Sequence, residues 1–310
     1  MRVLLRLVFW SLVALFTAIL LFFAWLTIPL LSDPVPGFSA RKGTIQSARL
    51  EGTAVFDAVE YSHVTLTSSS GLEVQFSLRK PQQHTGRMPL VILLGGHRTG
   101  RDAVRLIKTE RPVIVAALSY PHNADPRAKG AAVLPNLREY SRAFRDVTPA
   151  VMLALDYLSA QSDVDAQRIE LVGISLGAFL VSVPAALDQR VRRVWLIHGA
   201  GDPQQVIAHN LKHRIAHTGL RNMAATYLMM YCYGDYLRPE QWLSRIAPRR
   251  IVVVNARKDE RLPIESVKSL HRALPDTAEV IWTAGQHVEP KRVAIINQLV
   301  DIVFQRIIAD

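Results

Sequence analysis

A serine with a glycine two residues away on either side, Gly173-Ile174-Ser175-Leu176-Gly177, is the strongest chemical signal in the chain. A G-x-S-x-G pattern alone is weak, because both residue types are common. Its setting makes it specific. An apolar, strand-like run over 169–172 precedes it, and an apolar, helix-like run over 178–187 follows it. A strand, a sharp turn and a helix hold a hydroxyl clear of the sheet. Only very small residues fit two positions before and after such a turn. Gly173 and Gly177 are thus the expected elbow glycines and Ser175 the expected nucleophile. The Leu176 N–H, at a helix N-terminus, is placed to face developing negative charge.

A serine hydroxyl is a poor nucleophile until a base removes its proton. An imidazole does this near neutral pH, and a carboxylate on its second nitrogen fixes the tautomer and stabilises the imidazolium.

With the motif in this setting, the chain resembles the alpha/beta-hydrolase family over roughly residues 88–308, in particular its dienelactone-hydrolase-like and acyl-peptidase-like members. The resemblance implies a triad in the order serine, acid, histidine, with the acid after a late strand and the histidine after the next. The run 251–254 leads into Asn255-Ala256-Arg257-Lys258-Asp259, so Asp259 matches the acid. The run 280–282 leads into Ala284-Gly285-Gln286-His287, so His287 matches the base. The intervals, 84 and 28 residues, are ordinary for the family. A second oxyanion donor comes, in relatives, from the loop after an early strand, here Gly95-Gly96-His97. The resemblance assigns that donor to the His97 N–H, with Gly96 as the flexible residue before it. Many relatives carry His-Gly-x-Gly there, and this chain lacks that histidine in its usual place.

Competing readings exist for several of these residues. Glu260 adjoins Asp259 and could serve as the acid, as could Asp202. Ser175 could be a turn serine, and His287 a loop histidine. Cys232, with Met229, Met230, Tyr231 and Tyr233, reads as packing within a cap more than as pocket lining. His209, His213 and His217 recur every four residues and would share a helix face able to hold a metal; the favoured reading is a solvated basic surface. No metal or organic cofactor is implied.

The elements that must position these groups follow from periodicity. Leu72, Val74, Phe76 and Leu78 alternate, as in a half-buried strand, and pair with a strand near 59–67 across Ser68-Ser69-Ser70-Gly71. Short apolar runs, continuous except for Glu170, follow at 90–94, 113–118, 169–174, 194–197, 251–254 and 280–282, the pattern of strands buried on both faces of a parallel sheet. Helices lie between them. One is expected from Thr148 as N-cap and Pro149 at the first position to about residue 158, and a last one over about 291–308. Residues 202–247 break the rhythm and read as an inserted helical cap. The fold class is therefore α/β: an alpha/beta-hydrolase fold, a mostly parallel doubly wound sheet with an N-terminal antiparallel hairpin and a helical cap, preceded by a transmembrane helix.

Residues 7–31 contain no charge; as a helix this stretch is about 37 Å long, enough to cross a bilayer. Arg2 and Arg6 precede it, and Trp10 and Trp25 lie near its ends. It is too long for a signal-peptide core and lacks a small-x-small cleavage site. The expected organisation is a cytoplasmic start and anchor over 1–32, a linker over 33–45, and a catalytic domain over 46–310 on the opposite side of the membrane, periplasmic if the source is bacterial. Of the 310 residues 49% are apolar, which excludes disorder for most of the chain, and one cysteine excludes an internal disulfide and a cysteine zinc site. The net charge of +11 comes without a basic run, so nucleic acid is not an expected partner; anionic lipid facing the basic cap (Arg221, Arg238, Arg245, Arg249, Arg250) is one hypothesis for the excess. The sequence reading is a membrane-anchored serine hydrolase acting on a small acyl ester. A peptidase, thioesterase, acyltransferase or non-catalytic hydrolase-like binding protein is the alternative.

Overall fold

Alternating and continuous apolar runs become one sheet. The computed structural model describes residues 2–27, 33–96, 99–122, 133–233 and 235–309. Its strands are β1 (Ile45–Phe56), β2 (Val59–Ser68), β3 (Glu73–Pro81), β4 (Met88–Leu94), β5 (Ile114–Leu118), β6 (Val164–Ile174), β7 (Val191–Ile197), β8 (Arg250–Ala256) and β9 (Glu279–Thr283). The helices are α1 (Arg2–Thr27), α2 (Phe38–Lys42), α3 (Val133–Leu158), α4 (Leu176–Leu180), α5 (Ser182–Leu187), α6 (Pro203–Leu211), α7 (Thr218–Leu228), α8 (Leu243–Ile246), α9 (Ile264–Arg272) and α10 (Val293–Ala309). The strand order is β1-β2-β3-β5-β4-β6-β7-β8-β9. β1 to β3 form an antiparallel meander, β3 meets β5 antiparallel, and every later pairing is parallel.

Both faces of the parallel region are covered, as continuous apolar strands require. Leu90, Ile92 and Leu94 of β4 join a core with Val151 and Leu155 of α3 and Val183 of α5. Val91 and Leu93 point the other way, into a core with Leu299, Val303 and Ile307 of α10. This two-residue alternation is why a run with no polar residue can still serve two layers.

The structure departs from the sequence expectation in three elements. β1 was not expected; it is exposed along its whole length, so it carries no buried-face alternation. α3 begins at Val133, well before Thr148, and Pro149 lies inside it. Pro149 removes one helical hydrogen bond, but Val147, Ala150, Val151, Ala154 and Leu158 are buried against the sheet. That packing outweighs a proline cost of about 3 kcal/mol. The helix expected over 178–187 is split at Val181 into α4 and α5, because Pro184 has no N–H for the Leu180 carbonyl.

α1 contains a 22-residue, largely apolar stretch, Val3–Ala24, with Arg6 as its one charge, long enough to cross a membrane. Beyond it, α2 is fastened to the domain. Phe38 is buried, Arg41 makes two hydrogen bonds to Asp146 of α3 at 2.8 and 2.7 Å, and Lys42 meets Asp156 at 2.5 Å.

Candidate active site

Ser175 occupies the turn between β6 and α4 with φ +56° and ψ −112°, a conformation that non-glycine residues seldom adopt. The strain is held by close backbone approach on both sides. A Cβ on Gly173 would lie 2.5 Å from the Gly177 carbonyl oxygen, and one on Gly177 would lie 2.0 Å from that of Leu94. The Ser175 N–H donates to the Ile197 carbonyl at 2.9 Å, tying the turn to the end of β7. Leu176 opens α4, so its N–H is a first-turn donor without an intrahelical acceptor. Gly96 also abuts the serine: a Cβ there would sit 3.7 Å from the Ser175 Cβ. The sequence-derived second donor, His97, lies outside the described residues.

His287 and Asp259 come from loops after β9 and β8. Two backbone bonds zip these loops together: Arg257 N–H to the Thr283 carbonyl, and Lys258 N–H to the Gly285 carbonyl, each 3.0 Å. Nε2 of His287 lies 2.8 Å from Ser175 Oγ, and its Nδ1 lies 2.7 Å from Asp259 Oδ2. The other Asp259 oxygen accepts the N–H groups of Arg261 at 2.9 Å and Leu262 at 3.0 Å. With Nδ1–H pointed at a carboxylate, Nε2 is left as the acceptor facing the hydroxyl.

Glu260, the competing acid, has different work. Its Oε2 accepts the His287 N–H at 3.0 Å and its Oε1 accepts from Arg292 at 2.7 Å. Arg292 also donates to the His287 carbonyl at 2.5 Å. Burial pushes the Glu260 carboxyl up, but the His287 N–H and the Arg292 guanidinium outweigh it and hold it at about 2. Asp202, the other competing acid, caps α6 and accepts the Gln205 N–H.

Sequence reasoning missed His198. It follows β7 with φ +49° and is fully buried. Its Nδ1 accepts the Val288 N–H at 2.9 Å and lies 3.9 Å from Asp259 Oδ2. Its ring centre is 5.4 Å from that of His287. Burial, with the neighbouring His287, lowers its pKa to about 4. A polar residue directly after an apolar strand was the available signal, the same one that Ser175 gives. His198, Asp259 and His287 offer ligand atoms within 4.8 Å of one another. Their ring nitrogens are already committed to hydrogen bonds: Nδ1 of His198 is occupied by Val288, and Nδ1 of His287 by Asp259. That donor set does not fit a metal without dismantling these bonds.

The three cap histidines do not share a helix. α6 ends at Leu211 and α7 begins at Thr218, so a turn separates them. His209 meets the Glu260 carbonyl at 3.1 Å, and His217 caps α7. Cys232 lies in a π-helical turn, Met229–Tyr233, in which Met229 and Tyr231 are buried. Arg249 is no solvated cation: its guanidinium donates to the carbonyls of Asp188 and Val191 at 3.0 and 2.9 Å.

Beside Ser175 a cleft of about 1370 Å³ runs from Leu176 past Tyr120 and Arg101 to Ile207, Arg214 and Leu228 of the cap region. The Tyr120 hydroxyl donates to the Gly95 carbonyl at 2.5 Å, bracing the loop that carries Gly96.

No protein-family model and no curated protein sequence matches the chain. Solved structures do. Acetyl xylan esterase from Paenibacillus sp. R4 superposes with a TM-score of 0.61 at 15% identity, covering 86% of this chain and 92% of that one. Acetyl xylan esterase 1 from Thermoanaerobacterium sp. JW/SL YS485 gives 0.59 at 14%, covering 88% and 94%. The alpha/beta hydrolase GrgF from Penicillium sp. sh18 gives 0.56 at 17%, covering 81% and 99%. Identities this low speak for architecture alone: the chain has the alpha/beta-hydrolase fold.

Proposed function

We propose that the chain is a membrane-anchored serine hydrolase that cleaves a small-molecule acyl ester through Ser175, His287 and Asp259. The observation that carries this reading is the unbroken array from Asp259 through His287 to Ser175, with contacts of 2.7 and 2.8 Å. Structural neighbours described as acetyl xylan esterases support an ester as substrate.

Ser175 Oγ attacks the acyl carbonyl while His287 Nε2 takes its proton. The Asp259 carboxylate holds the imidazole in the reactive tautomer and stabilises the imidazolium. Charge on the tetrahedral oxygen faces the Leu176 N–H, with the His97 N–H as second donor. The imidazolium returns its proton to the departing alkoxide, leaving an acyl-Ser175 ester. Water then attacks that ester, losing a proton to His287, which delivers it to Oγ as the acid leaves. α1 is the bilayer anchor. Arg2 and Arg6 keep its start cytoplasmic and put the catalytic domain across the membrane.

Turnover of short-chain acyl esters by the detergent-solubilised full chain tests the reading. Ser175→Ala and His287→Ala each lower kcat by about a thousandfold or more, because the array acts as a unit. Wild-type turnover that either variant retains removes these residues from the reaction.

A further inference from the structure

The anchor and the cap meet. Phe23, in the last turn of the apolar stretch Val3–Ala24, packs edge-on against Tyr227 of α7 with ring centres 5.7 Å apart. Tyr227 stacks on the buried Tyr231 one turn later, at 5.9 Å and 10°. Tyr227 belongs to a helical stripe with Met223 and Leu220. Those two are 65% and 54% exposed, although large apolar groups on such a helix normally turn inward. The stripe therefore continues outward from the contact with Phe23. Arg221 on the same helix, and Lys212 and Arg214 in the turn before it, have no acidic partner among the described residues.

The connection between α1 and the domain is short. Seven residues, 28–34, separate α1 from the helical turn that starts at Val35, a reach of about 29 Å at most. Phe38, three residues further on, is buried and its ring lies 6.0 Å from that of Tyr236 at the end of the cap. The short tether and the Phe23–Tyr227 contact keep this side of the domain beside the C-terminal end of α1. The cleft shares the same wall: Leu228 and Arg214 line it at the cap end, and Leu176 at the nucleophile end.

Resting on the assignment of Ser175 as nucleophile, we propose that α7 is seated in the membrane interface through Leu220 and Met223, and that the substrate is a bilayer-resident acyl ester with an anionic head group. Such a molecule leaves the lipid along the cap, its head group meeting these cations.

The full chain is reconstituted into vesicles of phosphatidylcholine with phosphatidylglycerol. Two substrates are compared: a fluorogenic long-chain acyl ester carried in the vesicle, and a short water-soluble acetate ester. In the double variant Leu220→Glu, Met223→Glu, the vesicle-borne substrate loses about tenfold or more in rate. The soluble ester stays within about twofold, because both positions are exposed and outside the catalytic array. Replacing phosphatidylglycerol by phosphatidylcholine also lowers the wild-type rate on the vesicle-borne substrate. Loss on both substrates alike, or on neither, overturns the proposal. A wild type that turns over neither substrate fails at the nucleophile assignment instead, and takes this inference with it.

Discussion

Nδ1 of His198 accepts the Val288 N–H at 2.9 Å, one residue beyond the imidazole that faces Ser175. An acceptor at Nδ1 requires a neutral ring with its proton on Nε2. Protonating His198 would point a second donor at Val288 and break one of the bonds that hold the His287 loop.

That relationship sets a pH dependence of stability. The native pKa of His198, about 4, lies below the ordinary 6.5, so between these values the unfolded chain binds more protons than the native one. Stability from this residue is complete above about pH 6.5 and is lost as the pH falls towards 4. Between pH 7 and pH 5 the wild type loses up to about 2 kcal/mol more than His198→Gln. Urea unfolding of both proteins at the two pH values measures the difference; equal losses refute the account.

Asp259 and Glu260 are neighbours with separable duties. Asp259→Asn leaves the His287 tautomer unsupported and lowers kcat by about a thousandfold or more. Glu260→Gln weakens the brace on the His287 backbone and costs about tenfold in kcat with little change in KM. Steady-state kinetics of the two variants on one ester decide the assignment. The reverse ranking would make Glu260 the acid.

Three glycines near the nucleophile differ in what a methyl group would meet. Gly177→Ala drives a Cβ to 2.0 Å from the Leu94 carbonyl, and Gly173→Ala drives one to 2.5 Å from the Gly177 carbonyl, both rigid backbone. Each destabilises the fold by about 3 kcal/mol or more, read as a large drop in Tm or loss of soluble protein. Gly96→Ala has 3.7 Å to the Ser175 Cβ and folds with near-normal Tm, but it narrows the approach to the hydroxyl and lowers kcat.

The parallel strands and the serine turn were legible because both are written locally. Continuous apolar runs have few other uses, and Gly173 answers to the Gly177 backbone four residues on, although Gly177 itself answers to the distant Leu94 carbonyl. β1 was illegible because a strand exposed along its whole length has no buried face to leave a period. α3 was misjudged at Pro149 because a local breaker was overridden by distant packing against the sheet. His198 and the bracing role of Glu260 were hidden for a related reason. Their partners, Val288, His287 and Arg292, lie 90, 27 and 32 residues away, and no spacing rule announces them. Asp259 and His287 were placed by family resemblance, and their loops are joined through backbone bonds that side-chain patterns do not encode.

Covalent labelling tests the reactivity of Ser175 most directly. The full chain is treated with a fluorophosphonate probe and the modified peptide is mapped by mass spectrometry. The account predicts rapid, stoichiometric modification at Ser175 in the wild type, none in Ser175→Ala, and strongly slowed labelling in His287→Ala. A wild type that resists the probe, or a Ser175→Ala variant that still takes it up, contradicts the account.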